Sequence, residues 1–192
     1  MGLSYITIIL IINAFNLIDG VDGLAATLGM FAASVFGAYF FMVGMTAYAI
    51  LVFSMAGSLA AFLIFNYHPA KIFMGDCGSL MIGLVNAILI IKFITVADSS
   101  SVTIPIESAL AIGISVLILP LFDTILVFGL RILKGVSPFS PDRTHIHHLL
   151  LERGLNHRYI TFSCLLTNMV FVGLAFFARS FGSTSVFLVS RL

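Results

Sequence analysis

Charge is what this chain most lacks: eight acidic and nine basic residues among 192, or 9% of the sequence, where a soluble domain carries about 25%. Hydrophobic residues take 60% and the mean hydropathy is +1.17, so the sequence reads as an integral membrane protein. The few basic residues are scattered and the formal net charge is only +1, which argues against a polyanion-binding face and so against nucleic acid as a partner. Cysteine is as scarce. Cys77 and Cys164 make no disulfide framework and are expected as free thiols. The first residues lack a basic leader and a small-residue cleavage site, so they do not read as a secretory signal; they read as a chain entered midway. No repeat, low-complexity linker or second domain interrupts residues 1–192, which are taken as one integral membrane domain.

Apolar runs are what is present. A membrane-crossing helix needs about 20 predominantly apolar residues, and such runs fall near 3–18 (shortened), 24–44, 47–65, 78–97, 105–130 and 159–178. The expected fold is an all-α polytopic membrane bundle of about six spans, with the tail STSVFLVSRL too short to cross again. Each crossing reverses sides, so loops 19–23, 66–77 and 131–158 share one face. That face carries Lys71, Arg131, Lys134, Arg143, Arg153 and Arg158, against Arg179 and the span-end Lys92 on the other. The positive-inside bias makes it cytoplasmic, and every unusual polar cluster falls on it.

The first cluster is NAFNLIDGVDGLA, where Asn13, Asn16, Asp19 and Asp22 stand three apart. An α-helix drifts about 60° per such step, so a shared face needs tighter winding or a break, which Gly20 and Gly23 permit. The set can be read as a polar helix end with acids near the next helix's N-terminus. The asparagines argue for more, because amides at the bilayer edge need partners.

The second cluster, NYHPAKIFMGDCGSL, sets Asp76 between glycines at the start of a span, with Lys71 five residues earlier. Asp76 there either caps the helix or serves a phosphate that backbone can approach closely. The third, SPFSPDRTHIHHLLLERG, holds Asp142, Arg143, His145, His147 and His148. It has neither a nearby cysteine nor an H-E-x-x-H companion for zinc. Beside Arg143, the imidazoles suit phosphate or sugar oxygens, the simpler reading being a solvated basic loop. Asp123 lies roughly 12 Å from the cytoplasmic end of its span. With Pro120 expected to kink that helix, Asp123 is read as facing a polar cleft.

Carboxylates, amides, glycines and a Lys/Arg/His set together suit Mg²⁺ holding phosphates, since this cation takes oxygen ligands from one or two carboxylates and the substrate. A site at the membrane surface can draw one substrate from water and another from lipid. In order and spacing, NAFNLIDGVDGLA, NYHPAKIFMGDCGSL and SPFSPDRTHIHHLL resemble the signature segments of the polyprenyl-phosphate N-acetylhexosamine-1-phosphate transferases (glycosyltransferase family 4). The form is that of the bacterial undecaprenyl-phosphate N-acetylglucosaminyl-1-phosphate transferases.

The resemblance implies transfer of GlcNAc-1-phosphate, or another N-acetylhexosamine-1-phosphate, from the UDP-sugar to undecaprenyl phosphate with release of UMP. This would be the first membrane step of cell-surface polysaccharide synthesis, at the bacterial inner membrane, with Mg²⁺ or Mn²⁺ and a possible homodimer. It implies Asp76 as metal ligand and Asp19, Asp22 and Asp76 as the catalytic carboxylates. Asn16 would line the sugar-nucleotide site with Asn13 in support. Arg143, His145, His147 and His148 would hold the diphosphate or sugar, with Lys71 a helper and Asp123 a cleft residue. Such transferases also carry an adjacent Asp-Asp pair in an earlier loop, and no such pair occurs in this sequence. The chain is therefore expected to be the C-terminal portion of a longer transferase, inactive alone or one half of a split enzyme. An ion-coupled transporter, with Asp123 and the first-cluster acids as relay, is the rival class.

Overall fold

The computed structural model describes residues 2–99, 102–135, 137 and 145–189, leaving out the side chains of Leu3, His148 and 180–189. Among the described residues there are eight helices and no strand: α1 Gly2–Ile18, α2 Leu24–Met42, α3 Thr46–Asn66, α4 Gly75–Ala97, α5 Ala109–Val116, α6 Ile118–Leu133, α7 Ile146–Glu152 and α8 His157–Val189. The all-α membrane bundle expected from composition is what forms.

The helix α2 is central, 67% buried against 17% for α3 and for the membrane-length part of α8. Its alanines 25, 26, 32 and 33 are buried, and such small side chains let neighbouring helices approach closely in a membrane. Farther along, Phe36 and Tyr39 hold Phe93 of α4 at ring separations of 5.4 and 4.9 Å. The helices α1 and α4 run antiparallel in close contact, because a Cβ on Gly83 would stand 2.7 Å from Ile12 Cα. That approach sets the C-terminal turn of α1 beside the first turn of α4, where the polar clusters meet.

Among the described residues, four helices are long and apolar enough to cross a membrane, namely α2, α3, α4 and His157–Arg179 of α8, while the apolar part of α1 is shorter. The expected span 105–130 is instead a bent pair, α5 and α6, meeting at 79°. Pro120 causes the break, but three residues before itself. Its ring excludes the carbonyl of Val116 and it has no N–H to offer. The Val116 oxygen accepts instead from Asn168 Nδ2 at 2.8 Å, and Leu119 N–H donates to Asn168 Oδ1 at 3.3 Å. One buried amide of α8 thus patches both sides of the discontinuity. The tail beyond residue 178 also differs from expectation, continuing α8 to Val189.

Candidate functional site

The four polar residues of the first cluster go separate ways. Asn13 donates to Ile9 O within α1 at 2.7 Å and takes no part in the contacts below. The helix ends at Ile18 with a tightened turn, Asp19 N–H reaching back to Asn16 O. Asn16 Nδ2 crosses to α4, donating to Asp76 Oδ1 at 3.2 Å and to the Ser79 hydroxyl at 3.0 Å. Gly75, with φ +67, admits the left-handed backbone that starts α4. Asp76 lies in the first turn rather than at the cap, with its residue exposed. Burial first, and the Asp76 charge second, push the Asp19 carboxyl up to about 6. Two carboxylates and an amide therefore converge where α1 ends and α4 begins.

Asp22 turns the other way. Its Oδ2 accepts from His68 Nδ1 at 2.7 Å and from Ala70 N–H at 3.2 Å, its backbone N–H donates to His157 Nδ1 at 3.1 Å, and its carbonyl accepts from Thr161 Oγ1 at 3.0 Å. Burial would raise this carboxyl, but the His68 and Ala70 hydrogen bonds and the His157 and His68 charges outweigh it and hold it below its ordinary 3.8. The rings of His68 and His157 stack, and the three side chains offer donor atoms within 4.8 Å, a spacing compatible with a metal ion. The Asp22 N–H is already directed at His157 Nδ1, so the geometry is that of a clamp joining loop 19–23, loop 67–74 and the start of α8. Asn66 adds a second tie, accepting from Gly23 N–H and donating to Ile72 O.

Asp123 is 3% exposed. Its Oδ2 meets His145 Nδ1 at 2.8 Å and its Oδ1 accepts from Ile146 N–H at 2.8 Å. The side chain supplies a partner to the first backbone donor of α7, which a helix cannot satisfy itself. His145 stacks on His147 at 5.6 Å. His147 in turn fills the space over Gly20, where a Cβ would collide with Nε2. Loop 19–23 is thereby brought against the H-x-H-H segment.

Of the remaining sequence candidates, Lys71 is exposed on the α3–α4 loop, its backbone N–H bonded to Phe65 O. His148 lies in α7, but its side chain is outside the described residues, as is Arg143 entirely. Sequence reasoning missed Ser79, His68, His157 and the contact role of Gly20. Ser79 carried a readable signal, lying one helical turn after Asp76; the lone histidines carried none.

Residues 1–94 match the family model described as Glycosyl transferase family 4. An undecaprenyl-phosphate alpha-N-acetylglucosaminyl 1-phosphate transferase of Escherichia coli (strain K12) is 36% identical over 77% of this chain and 39% of its own length. A Bacillus subtilis (strain 168) protein named "Probable undecaprenyl-phosphate N-acetylglucosaminyl 1-phosphate transferase" is 38% identical over 88% of this chain and 45% of its own. A decaprenyl-phosphate N-acetylglucosaminephosphotransferase of Mycobacterium leprae (strain TN) is 36% identical over 78% and 41%. The chain thus spans less than half the length of these relatives.

Proposed function

We infer the function of this chain from the premise that it belongs to glycosyl transferase family 4. It takes part in moving an N-acetylhexosamine-1-phosphate, GlcNAc-1-phosphate by analogy with its relatives, from a UDP-sugar to undecaprenyl phosphate. An oxygen of the lipid phosphate bonds to the sugar-bearing phosphorus. The bond from that phosphorus to the bridging oxygen breaks, and its electron pair leaves with UMP. The convergence of Asp19, Asn16 and Asp76 at the end of α1 is the observation that carries this reading.

The donor set fits Mg²⁺ or Mn²⁺. Two carboxylates close enough for one to raise the other's pKa form an all-oxygen set that a divalent cation relieves. Asp76 and Asp19 would hold it. When bound, such a cation neutralises charge on the phosphates during transfer. Asn16 and Ser79 fix the rotamer of Asp76 through the shared amide donor. Asp22 holds loop 19–23, loop 67–74 and the start of α8 in register, and His147 over Gly20 brings the imidazole segment to the same place. His145, His148, Arg143 and Lys71 are assigned to the diphosphate and sugar. The site faces the cytoplasm of the bacterial inner membrane, where sugar nucleotide and lipid phosphate meet.

The test is Mg²⁺-dependent conversion of labelled UDP-GlcNAc to a lipid-extractable product by membranes containing the chain and lacking other transferases. Product lost on chelation and in Asp76→Asn supports the reading; uptake without UMP would replace it with transport. The absence of an Asp-Asp pair favours a second reading, in which transfer requires a partner segment supplying that pair. Product formed only on co-expression with the upstream part of a relative would select it.

A further inference from the structure

Among the described residues, Asp123 is the acid whose two carboxylate oxygens are both committed to the H-x-H-H segment, and it is buried. Burying a carboxylate is costly unless it is hydrogen-bonded, and here both bonds go to a chain segment 22 and 23 residues later. An ordinary helix start would be capped from its own loop; α7 is started by a side chain of α6 instead. The acceptor also acts on the imidazole. A carboxylate only accepts, so it holds the proton of His145 on Nδ1, leaving the lone pair of the neutral ring on Nε2.

We propose that Asp123 is a positioning residue: it fixes the tautomer and orientation of His145, starts α7 at Ile146, and so sets His147 over Gly20, the residue that follows Asp19. This rests on the proposed transfer reaction for its consequence, though not for its geometry. Asp123 touches no reacting group. It acts through His145, whose ring stacks on that of His147.

Asp123→Asn separates orientation from folding. The amide oxygen still accepts from Ile146 N–H, so α7 keeps its start. The amide nitrogen, a donor, now faces His145 Nδ1 and drives the proton to Nε2. Histidine-selective ¹⁵N NMR of the full chain in nanodiscs, assigned with His145→Gln, reads this directly. The expected result is a protonated Nδ1 at His145 in the unmutated chain and an unprotonated one in Asp123→Asn, with hydrogen-exchange protection of α7 kept. Asp123→Ala is expected to lose that protection as well. In the transfer assay Asp123→Asn should lower kcat by about 10- to 100-fold, the range seen when an outer partner of a functional histidine is removed, with KM for the sugar nucleotide within about twofold. An unprotonated Nδ1 in the unmutated chain, or Nδ1 protonation and kcat both unchanged in Asp123→Asn, overturns the proposal. Absence of transfer from the unmutated chain, with the Asp123-dependent tautomer intact, would remove the reaction and leave the positioning role standing.

Discussion

Asn16 and Asp76, sixty residues apart in the chain, are joined by a 3.2 Å hydrogen bond at the point where α1 ends and α4 begins. The bond exists because Gly83 lets these two helices run in contact, so helix packing within the bundle decides how a carboxylate is oriented at its surface. Asn16→Leu should keep the fold and weaken the response to metal. We expect the Mg²⁺ concentration for half-maximal transfer to rise about tenfold, with a stability loss of about 1 kcal/mol for the lost hydrogen bonds. A metal titration of activity beside a thermal melt separates the two effects.

Asp19 gives the metal-free protein a pH dependence of definite sign. Its carboxyl stands at about 6 rather than 3.8, so between those values the folded chain keeps a proton that the unfolded chain has lost. The associated stability is complete below about pH 4 and disappears as pH rises through about 6. Melting temperatures in chelator should therefore fall from about pH 4 to about pH 6, more steeply than those of Asp19→Asn. Mg²⁺ at neutral pH should restore the difference; identical slopes in the two proteins would exclude the effect.

Gly20 is required by space. A Cβ there would collide with His147 Nε2, and His147 is buried, so the ring has little room to yield. Gly20→Ala is expected to cut transfer about tenfold or more and to lower the melting temperature as well, since overpacking against a buried ring costs about 1–3 kcal/mol. Unchanged transfer would show that the position of His147 does not matter.

The break between α5 and α6 depends on Asn168. Replacing it with leucine leaves Val116 O and Leu119 N–H without their partner, at a cost of about 1–2 kcal/mol in a membrane interior. Unfolding of Asn168→Leu in detergent micelles should begin earlier by that amount, and a loss near zero would mean the break satisfies itself.

These residues also mark how far the sequence could be read. Loops 19–23 and 67–74 were legible on one face because charge and span alternation are one-dimensional signals, and Gly20 announced the end of α1. The kink was legible from Pro120; its place at Leu117 and its repair were not, because Pro120 acts on a carbonyl four residues back and the repair comes from Asn168, far along the chain. Asp123 stood out as an intramembrane acid expected to line a cleft. Its partners His145 and Ile146 stand at the start of α7, which only the folded chain brings to it. His68 and His157 were silent for the same reason: each is a lone histidine until Asp22 lies between them.

The role assigned to Asp19 and Asp76, holding together a divalent cation that presents a sugar nucleotide, is a binding role. Its most direct test is Mn²⁺ binding to the purified chain, followed by electron paramagnetic resonance with and without UDP-GlcNAc. One Mn²⁺ per chain is expected, with a spectrum altered by the sugar nucleotide and loss of binding in both Asp19→Asn and Asp76→Asn. Binding that survives in both variants, or a spectrum indifferent to UDP-GlcNAc, would contradict it.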